Sequence, residues 1–300
     1  MSANLPKAYL ALVIGIITVS SSAILVKLAD APSGITAFYR IFFTVLIMTP
    51  LFLFKHVREL KAITKKDWLF SSVSGVFLAL HFVLWFESLK FTSVASSVVL
   101  VTLQPIFAFI GTYLFFKEKF TFRSVVSALL AVIGSVIISW GDFRVSGLAL
   151  WGDILALIAC LLVTIYFLFG QEVRSRMSLV TYTYIVYFVS SITLLVYVLL
   201  SGEPFLPYNA KQWGYFILLA IFPTLLGHTL FNYALRWVST SLISVTILFE
   251  PIGASILAYY IFQEMILSHQ LIGGVIVIAG ICLFLLWKKK EVVLIENKIA

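Results

Sequence analysis

The chain has 300 residues, of which 62% are hydrophobic and 11% are charged, and its formal net charge is +8. A soluble domain carries about 25% charged residues, so a soluble fold with so few charges could not cover this much apolar surface. The basic residues lie in short stretches between long apolar runs, which argues against a nucleic-acid partner and is typical of signals that orient membrane helices. The composition therefore predicts an integral membrane protein in a lipid bilayer.

Ten apolar runs are long enough to cross a bilayer, since a spanning helix needs about 20 mainly apolar residues. In chain order, the predicted helices are 8–28, 35–54, 68–89, 92–116, 122–141, 149–170, 179–200, 212–235, 239–262 and 268–287. Only Lys90 and Phe91 separate the third and fourth runs, so eight or nine spans is the competing count. The runs are continuously apolar rather than alternating, which favours helices over a β-barrel.

Lys and Arg concentrate in alternate connections, and cytoplasmic loops of membrane proteins carry an excess of these residues. With the N-terminus inside, 16 of the 21 Lys and Arg residues fall in predicted cytoplasmic segments. The four predicted to lie outside are Lys27, Lys90, Arg144 and Lys211. The charge pattern predicts an even number of spans with both termini in the cytoplasm, and we expect this multi-pass protein to lie in the plasma membrane.

The sequence matches itself at an offset of 146 residues, with Gln104-Pro105-Ile106 falling on Glu250-Pro251-Ile252. Further matches pair Tyr113, Phe116, Glu118 and Gly134 with Tyr259, Phe262, Glu264 and Gly280. Five helices per repeat is an odd number, so the repeats must insert with opposite orientations. The sequence thus predicts an all-α integral membrane protein of ten transmembrane helices, arranged as two inverted five-helix repeats, 1–145 and 146–300. Inverted repeats are typical of transporters with a midplane site.

These residues resemble the drug/metabolite transporter superfamily, EamA type. The residues that carry the resemblance are Ala31-Pro32, Phe38-Tyr39-Arg40, Gln104-Pro105, Lys117-Glu118-Lys119 and Gly134, then Glu250-Pro251, Glu264 and Gly280. The resemblance covers nearly the whole chain and implies a ten-helix exporter or exchanger of small metabolites, often amino acids or their analogues. The second half departs from the first at Gln263 and Met265, which stand where the first half has Lys117 and Lys119, as inverted topology requires.

Polar side chains inside apolar runs are costly and are candidates for function. Glu250 lies at the middle of the ninth run, where a carboxylate costs about 3 kcal/mol on insertion scales, and Pro251 is expected to kink the helix beside it. Gln104 and Pro105 occupy the equivalent positions in the fourth run. We predict that Glu250 and Gln104 bind substrate; protonated Glu250 bonded to a neighbouring helix is the structural alternative.

Two further pairs are spaced four residues apart, which places each pair on one helix face. His81 and Trp85 lie in the third run, while His228 and Asn232 lie in the eighth, its repeat partner. We predict that these four residues line the same cavity, with Trp85 stacking on the substrate. The alternative for each His is ordinary packing.

Arg40 and Glu87 are predicted near the outer ends of the second and third helices. An Arg40–Glu87 ion pair could form an outer gate, although snorkelling of both side chains to the headgroups is the simpler explanation.

The leading functional hypothesis is a secondary transporter of small metabolites that works by alternating access, with protons as a candidate coupling ion, as a monomer or homodimer. A nucleotide-sugar exchanger of the same superfamily ranks lower, because no basic cluster at the midplane would hold a diphosphate. A membrane-embedded enzyme would need a cluster of acid, base or metal ligands, and a channel would need rings of polar residues. The sequence has no Walker loop, HExxH or Gly-x-Ser-x-Gly motif, so we expect no catalytic site, metal or cofactor.

Overall fold

The computed structural model describes the backbone of residues 5–92, 94–138, 140, 147–263, 265 and 267–299, and the side chains there except at 95, 270 and 288–299. Within these ranges the chain forms helices and turns but no strands. The predicted boundary at 145 and 146 lies outside the described residues, as do Arg144 and Glu264. So do the predicted cytoplasmic side chains of 288–290 and 298.

Ten helical segments, α1 to α10, occur in the described part of the chain, and they correspond one for one to the ten predicted runs. They are α1 Leu5–Ala29, α2 Ser33–Ala62, α3 Lys65–Ser88, α4 Val94–Thr102 with Gln104–Phe116, α5 Phe122–Ile138, α6 Gly147–Arg174, α7 Leu179–Ser201, α8 Ala210–Ala234, α9 Thr240–Ile247 with Glu250–Phe262, and α10 Ser268–Ile299. Eight of them are long and apolar enough to span a membrane, while the apolar parts of α5 and α10 are shorter. The predicted all-helical fold is confirmed, and a turn after Ser88 separates α3 from α4.

The packing between the two halves follows the predicted repeat. If α1–α5 correspond to α6–α10, then α3 is equivalent to α8, and α1 is equivalent to α6. The contact between α3 and α6 should therefore have a counterpart between α8 and α1, and both contacts are extensive. The helices α2, α4 and α5 each pack against their own equivalents, α7, α9 and α10. This exchange symmetry is what two repeats related by a two-fold axis produce.

The helices α4 and α9 are both interrupted near their middles. The second half of α4 starts at Gln104 and the second half of α9 starts at Glu250, each with a proline as its second residue. Proline cannot donate a backbone hydrogen bond but fits the first turn of a helix, where no such bond is needed. The sequence therefore starts a new helix at each proline, and Gln104 and Glu250 stand at two helix N-termini inside the protein.

Two other helices depart from regular α-geometry. The helix α1 is interrupted between Val19 and Ser22, and α8 widens into a π-helical stretch over Ala220–His228 that contains Pro223. In the widened stretch the Thr224 hydroxyl donates to the carbonyl oxygen of Leu219 at 2.9 Å. Hydroxyl groups thus satisfy backbone carbonyls that the irregular turns release, and such turns are frequent at functional sites.

The contact between α5 and α10 is close enough to require glycine. A Cβ atom at Gly134 would lie 2.7 Å from the backbone nitrogen of Val277, and one at Gly280 would lie 2.6 Å from that of Ala131. Gly134 and Gly280 are equivalent residues of the two repeats. Small residues of this kind allow the close backbone approach that holds membrane helices together.

Candidate substrate-binding site

A narrow cavity lies between the two halves, beside both helix interruptions. Its lining comes from α1, α3, α4, α6, α8 and α9, so each half contributes three helices. The lining residues are Val19, Ser22, His81, Trp85, Val101, Gln104, Val163, Phe167, His228, Phe231, Ile247 and Glu250. About 20 Å³ is available to the centre of a water molecule, which is room for about one water. The structure therefore represents a constricted conformation that must widen to admit a metabolite.

Glu250 is the acidic residue of this lining. It is 5% exposed, and among the described residues none donates a hydrogen bond to its carboxylate. As the first residue of a 13-residue helix, it lies where the helix dipole favours negative charge. A buried carboxylate without a protein donor must be satisfied by a proton, by water or by a bound cationic group.

Gln104, the repeat equivalent of Glu250, is also buried in the lining. Its amide nitrogen lies 3.5 Å from the carbonyl oxygen of Val101, a distant contact, and its Oε1 atom has no hydrogen-bond partner. The first half thus offers the cavity a neutral acceptor at the position where the second half offers a carboxylate.

His81 and His228 face each other across the lining, with ring centroids 6.5 Å apart. The Nδ1 atom of His81 lies 2.9 Å from the carbonyl oxygen of Ala159. Because a carbonyl can only accept, this nitrogen carries the proton, and Nε2 of the neutral ring is left as an acceptor. The Nδ1 atom of His228 has no partner.

Trp85 stacks on His81 with a centroid distance of 5.9 Å and an interplanar angle of 19°. Its indole N–H is buried without an acceptor, although buried Trp nitrogens usually find one. With Gln104 and His228, three lining residues present unpaired polar atoms in one small space. Buried polar groups in native proteins are nearly always paired, so this concentration indicates a polar ligand or water.

Asn232 lies outside the cavity lining, although its spacing predicted a place on it. Its side-chain amide nitrogen donates to the Tyr166 hydroxyl and to the carbonyl oxygen of His228 at 2.8 Å. Its backbone carbonyl oxygen accepts from the Nε atom of Arg174 at 3.0 Å, while its side-chain Oδ1 atom has no partner. Asn232 therefore joins α8 to α6 through Tyr166 and Arg174.

Arg40 and Glu87 do not form an ion pair with each other in this structure, and Arg40 does not reach the protein surface. Arg40 is completely buried, whereas Glu87 pairs with Lys90 at 2.8 Å in the turn that follows α3. The two side chains are apart because Arg40 lies two turns inside α2 and contacts α1 and α8, while Glu87 stands at the end of α3.

Arg40 instead joins three helices of the cavity wall. Its Nε atom donates to the Thr224 hydroxyl at 2.8 Å and its Nη1 atom donates to the Ser22 hydroxyl at 2.9 Å. The guanidinium carbon lies 4.1 Å from the ring centroid of Phe82, which gives a cation–π contact. Ser22 itself lines the cavity, so Arg40 is separated from it by one side chain.

The apolar lining was not predicted from the sequence. Phe167, Phe231, Val163 and Ile247 are indistinguishable by type from the many other apolar residues of this chain. Ser22 belongs to a run of three serines, a pattern that does not by itself indicate a cavity. The described residues hold no group of three or more His, Cys, Asp or Glu side chains that could bind a metal.

Polar contacts join the two halves at both ends of the molecule. At the end predicted to be cytoplasmic, the Glu118 carboxylate accepts from the Ser239 hydroxyl at 2.9 Å and from the Ser241 hydroxyl at 2.6 Å. At the opposite end, the Glu203 carboxylate accepts from the backbone N–H of Ile35 at 2.9 Å. The cavity therefore lies between two sets of contacts that join the halves.

A further pair at the predicted cytoplasmic end joins α3 to the connection after α6. Arg176 donates to the Asp67 carboxylate at 2.8 Å, and this hydrogen bond raises the pKa of Arg176 above its ordinary value. The pair adds to the contacts between the halves at this end.

Comparisons with known proteins agree with this architecture. The model of the EamA-like transporter family matches residues 6–140 and again residues 150–286, one copy for each five-helix unit. The uncharacterized transporter YdfC of Bacillus subtilis (strain 168) is 25% identical over 195 residues, which are 64% of this chain and 63% of that protein. The uncharacterized transporter YetK of the same organism is 25% identical over 294 residues, 94% of this chain and 88% of that protein.

A relative from Archaeoglobus fulgidus, also an uncharacterized transporter, is 25% identical over 69% of this chain and 73% of that protein. A crystal structure of another protein superposes with a TM-score of 0.79 over 95% of this chain and 99% of that one, at 16% identity. At that identity the likeness shows a shared fold. The two copies of the family model confirm the two-repeat, ten-helix architecture of a multi-pass membrane transporter, and this chain belongs to the EamA-like transporter family.

Proposed function

We propose that this protein is a secondary transporter that exports or exchanges small metabolites by alternating access. The observation that carries the proposal is the narrow cavity between the two halves, in which buried, unpaired polar atoms of Trp85, Gln104 and His228 meet the carboxylate of Glu250. Substrate sites of transporters with inverted repeats lie at the repeat interface, often beside broken helices. Amino acids and related compounds are the substrate class that we favour.

Each lining residue has a role in this proposal. Trp85 stacks on the solute and offers its indole N–H, Gln104 accepts a hydrogen bond, and His81 and His228 provide further polar contacts. The interruptions before Pro105 and Pro251 free backbone groups and let the half-helices tilt. The apolar remainder of the lining excludes water from the solute.

Glu250 has two candidate roles, to bind a cationic group of the substrate or to carry a coupled proton. Either would satisfy a carboxylate that has no donor among the described residues. In both cases the ligand favours one arrangement of the halves over the other, which is how binding shifts a conformational equilibrium. The contacts at Glu118 and at Glu203 are the natural points of opening on the two sides.

We place the transporter in the plasma membrane, and the distribution of Lys and Arg supports an orientation with both termini in the cytoplasm. Two contacts between connections agree with this orientation: Glu118 contacts Ser239, and Glu203 contacts Ile35. In each pair, both residues are predicted to lie on the same side of the membrane. The working unit is a monomer or homodimer.

The test is solute counterflow in proteoliposomes that contain the purified protein. Vesicles preloaded with a mixture of unlabelled amino acids and related metabolites receive each labelled compound in turn. Saturable accumulation that disappears in Trp85→Ala, but persists in the surface variant Trp68→Ala, supports the proposal; Trp68 is 39% exposed and outside the cavity lining. Uptake that never saturates would indicate a channel, and absence of counterflow for every compound would contradict the proposal.

A further inference from the structure

Arg40 is a fully buried cation without a carboxylate at hydrogen-bonding distance. Its two hydrogen bonds go to the neutral hydroxyls of Thr224 and Ser22, and its Nη2 atom has no partner. The ion pairs formed by the described residues do not include it. A buried charge is costly unless another charge compensates it, so the compensating charge must be sought nearby.

Glu250 meets that requirement. Among the described residues, it is the carboxylate that interacts electrostatically with Arg40. Ser22 connects Arg40 to the same small cavity, because it accepts a hydrogen bond from Arg40 at 2.9 Å and lines the cavity together with Glu250. Glu250 likewise has no other cation acting on it among the described residues.

The remaining polar groups around the pair carry no fixed charge. His81 on α3 and His228 on α8 feel the field of Arg40, and the Nδ1 proton of His81 is held by a backbone carbonyl. Tyr166 on α6 and Tyr187 on α7 are buried hydroxyl groups near Arg40. The groups at the cavity that can carry opposite charges are therefore Arg40 from the first half and Glu250 from the second.

We propose that Arg40 and Glu250 balance each other across the cavity and that this balance sets the charge selectivity of transport: the site takes a solute with no net charge, such as a zwitterion. Arg40 is a positioning residue here, since Ser22 stands between it and the cavity, and Glu250 is a contact residue. This selectivity rests on the proposed transport function. A low-dielectric site whose own charges cancel disfavours a solute that brings an unpaired charge.

Two single substitutions unbalance the site in opposite directions. Arg40→Gln leaves the negative charge of Glu250 in excess and is expected to favour cations, whereas Glu250→Gln leaves the positive charge of Arg40 in excess and is expected to favour anions. The double variant removes both charges and is expected to restore the preference for neutral solutes. Arg40→Lys keeps the charge and controls for loss of the guanidinium group.

The transport test uses serine, leucine and phenylalanine, each with its amide as the cationic probe and its N-acetyl derivative as the anionic probe. Counterflow in proteoliposomes gives the ratio of amide to N-acetyl transport for each protein variant. We expect this ratio to rise on the order of tenfold in Arg40→Gln and to fall on the order of tenfold in Glu250→Gln. An unchanged ratio in Glu250→Gln would overturn the proposal, even if Arg40→Gln fails to fold.

A second measurement needs no solute and separates this proposal from transport itself. In a double-mutant cycle of thermal unfolding, Arg40→Gln and Glu250→Gln together should destabilise the protein less than the sum of the single changes, because the double variant leaves no uncompensated charge. The matched cycle of Arg40→Gln with Glu87→Gln should be additive, since Glu87 pairs with Lys90. Additivity in the first cycle would refute charge balance, whatever the transport assay shows.

Discussion

Replacing Glu250 with Gln removes a charge and a proton-binding group from the cavity while keeping the size of the side chain and its capacity for hydrogen bonds. The side chain is 5% exposed and has no donor among the described residues, so the substitution breaks no contact within the described protein. Its direct effect should therefore appear in transport, and its effect on stability should come only from the charge of Arg40 that it leaves uncompensated.

The magnitude depends on which of the two candidate roles Glu250 has. A hydrogen bond to a charged group contributes about 1.5–3 kcal/mol, and each 1.4 kcal/mol is tenfold in affinity. If Glu250 binds a cationic group of the solute, Glu250→Gln should weaken solute binding by roughly 10- to 150-fold. If Glu250 carries a proton, solute affinity should change little but transport driven by a pH gradient should stop.

Two assays on the same proteoliposomes distinguish these outcomes. The first measures solute uptake driven by a pH gradient, and the second measures exchange of labelled for unlabelled solute without a gradient. A proton carrier loses the first activity and retains the second, whereas a solute ligand loses both together. Glu87→Gln is the matched control, because Glu87 is a partly exposed carboxylate at the end of α3 with a Lys partner. Normal uptake and normal pH dependence in correctly inserted Glu250→Gln protein would show that the residue is structural and would refute the site assignment.

Three further predictions concern topology and packing. After replacement of Cys160 and Cys282, single cysteines introduced at positions 60 and 175 should be labelled from the inside, and those at 145 and 205 from the outside. Any reversal would contradict the orientation. Gly134→Ala should lower the free energy of unfolding by about 1–3 kcal/mol, because its methyl group would overlap α10. The control Gly214→Ala should not lower it, since a methyl group there meets no atom within 4 Å. Equal thermal unfolding of the two variants would contradict the packing. Asn232→Ala should lower the free energy of unfolding by about 1–3 kcal/mol and should have a smaller effect on the free energy of solute binding. A loss of solute affinity without a loss of stability would instead place Asn232 in the binding site.

The fold could be predicted because its signals are periodic and redundant. Apolar runs of about 20 residues identify membrane helices, and the alignment of Gln104-Pro105 with Glu250-Pro251 reveals the repeat. The ends of helices were less predictable. The helix α2 continues to Ala62 rather than stopping at 54, because the polar residues beyond its apolar run still form helical turns.

The candidate site was predictable only where a polar residue interrupts an apolar run. His81, Trp85 and Glu250 were conspicuous for that reason, and the structure brings them to one cavity. The direction of a side chain was not predictable, since four-residue spacing placed Asn232 on the same face as His228 and the structure turns it toward Tyr166. The partner of Arg40 was also missed, because contacts between α2, α1 and α8 join residues as much as 184 positions apart.

The two repeats are similar in shape but opposite in charge, and this difference bears on how the transporter holds its solute. At the 146-residue offset, Glu250 corresponds to the neutral Gln104 and Arg40 corresponds to the apolar Val186. The first half therefore supplies the cation, the second half supplies the carboxylate, and neither half is neutral at the cavity by itself. In the proposed transport cycle the opposite charges attract the halves across the solute, and a solute with separated charges keeps one orientation between them. On this proposal, symmetric helices provide the two access states, while the asymmetric pair of Arg40 and Glu250 sets the orientation of the bound solute.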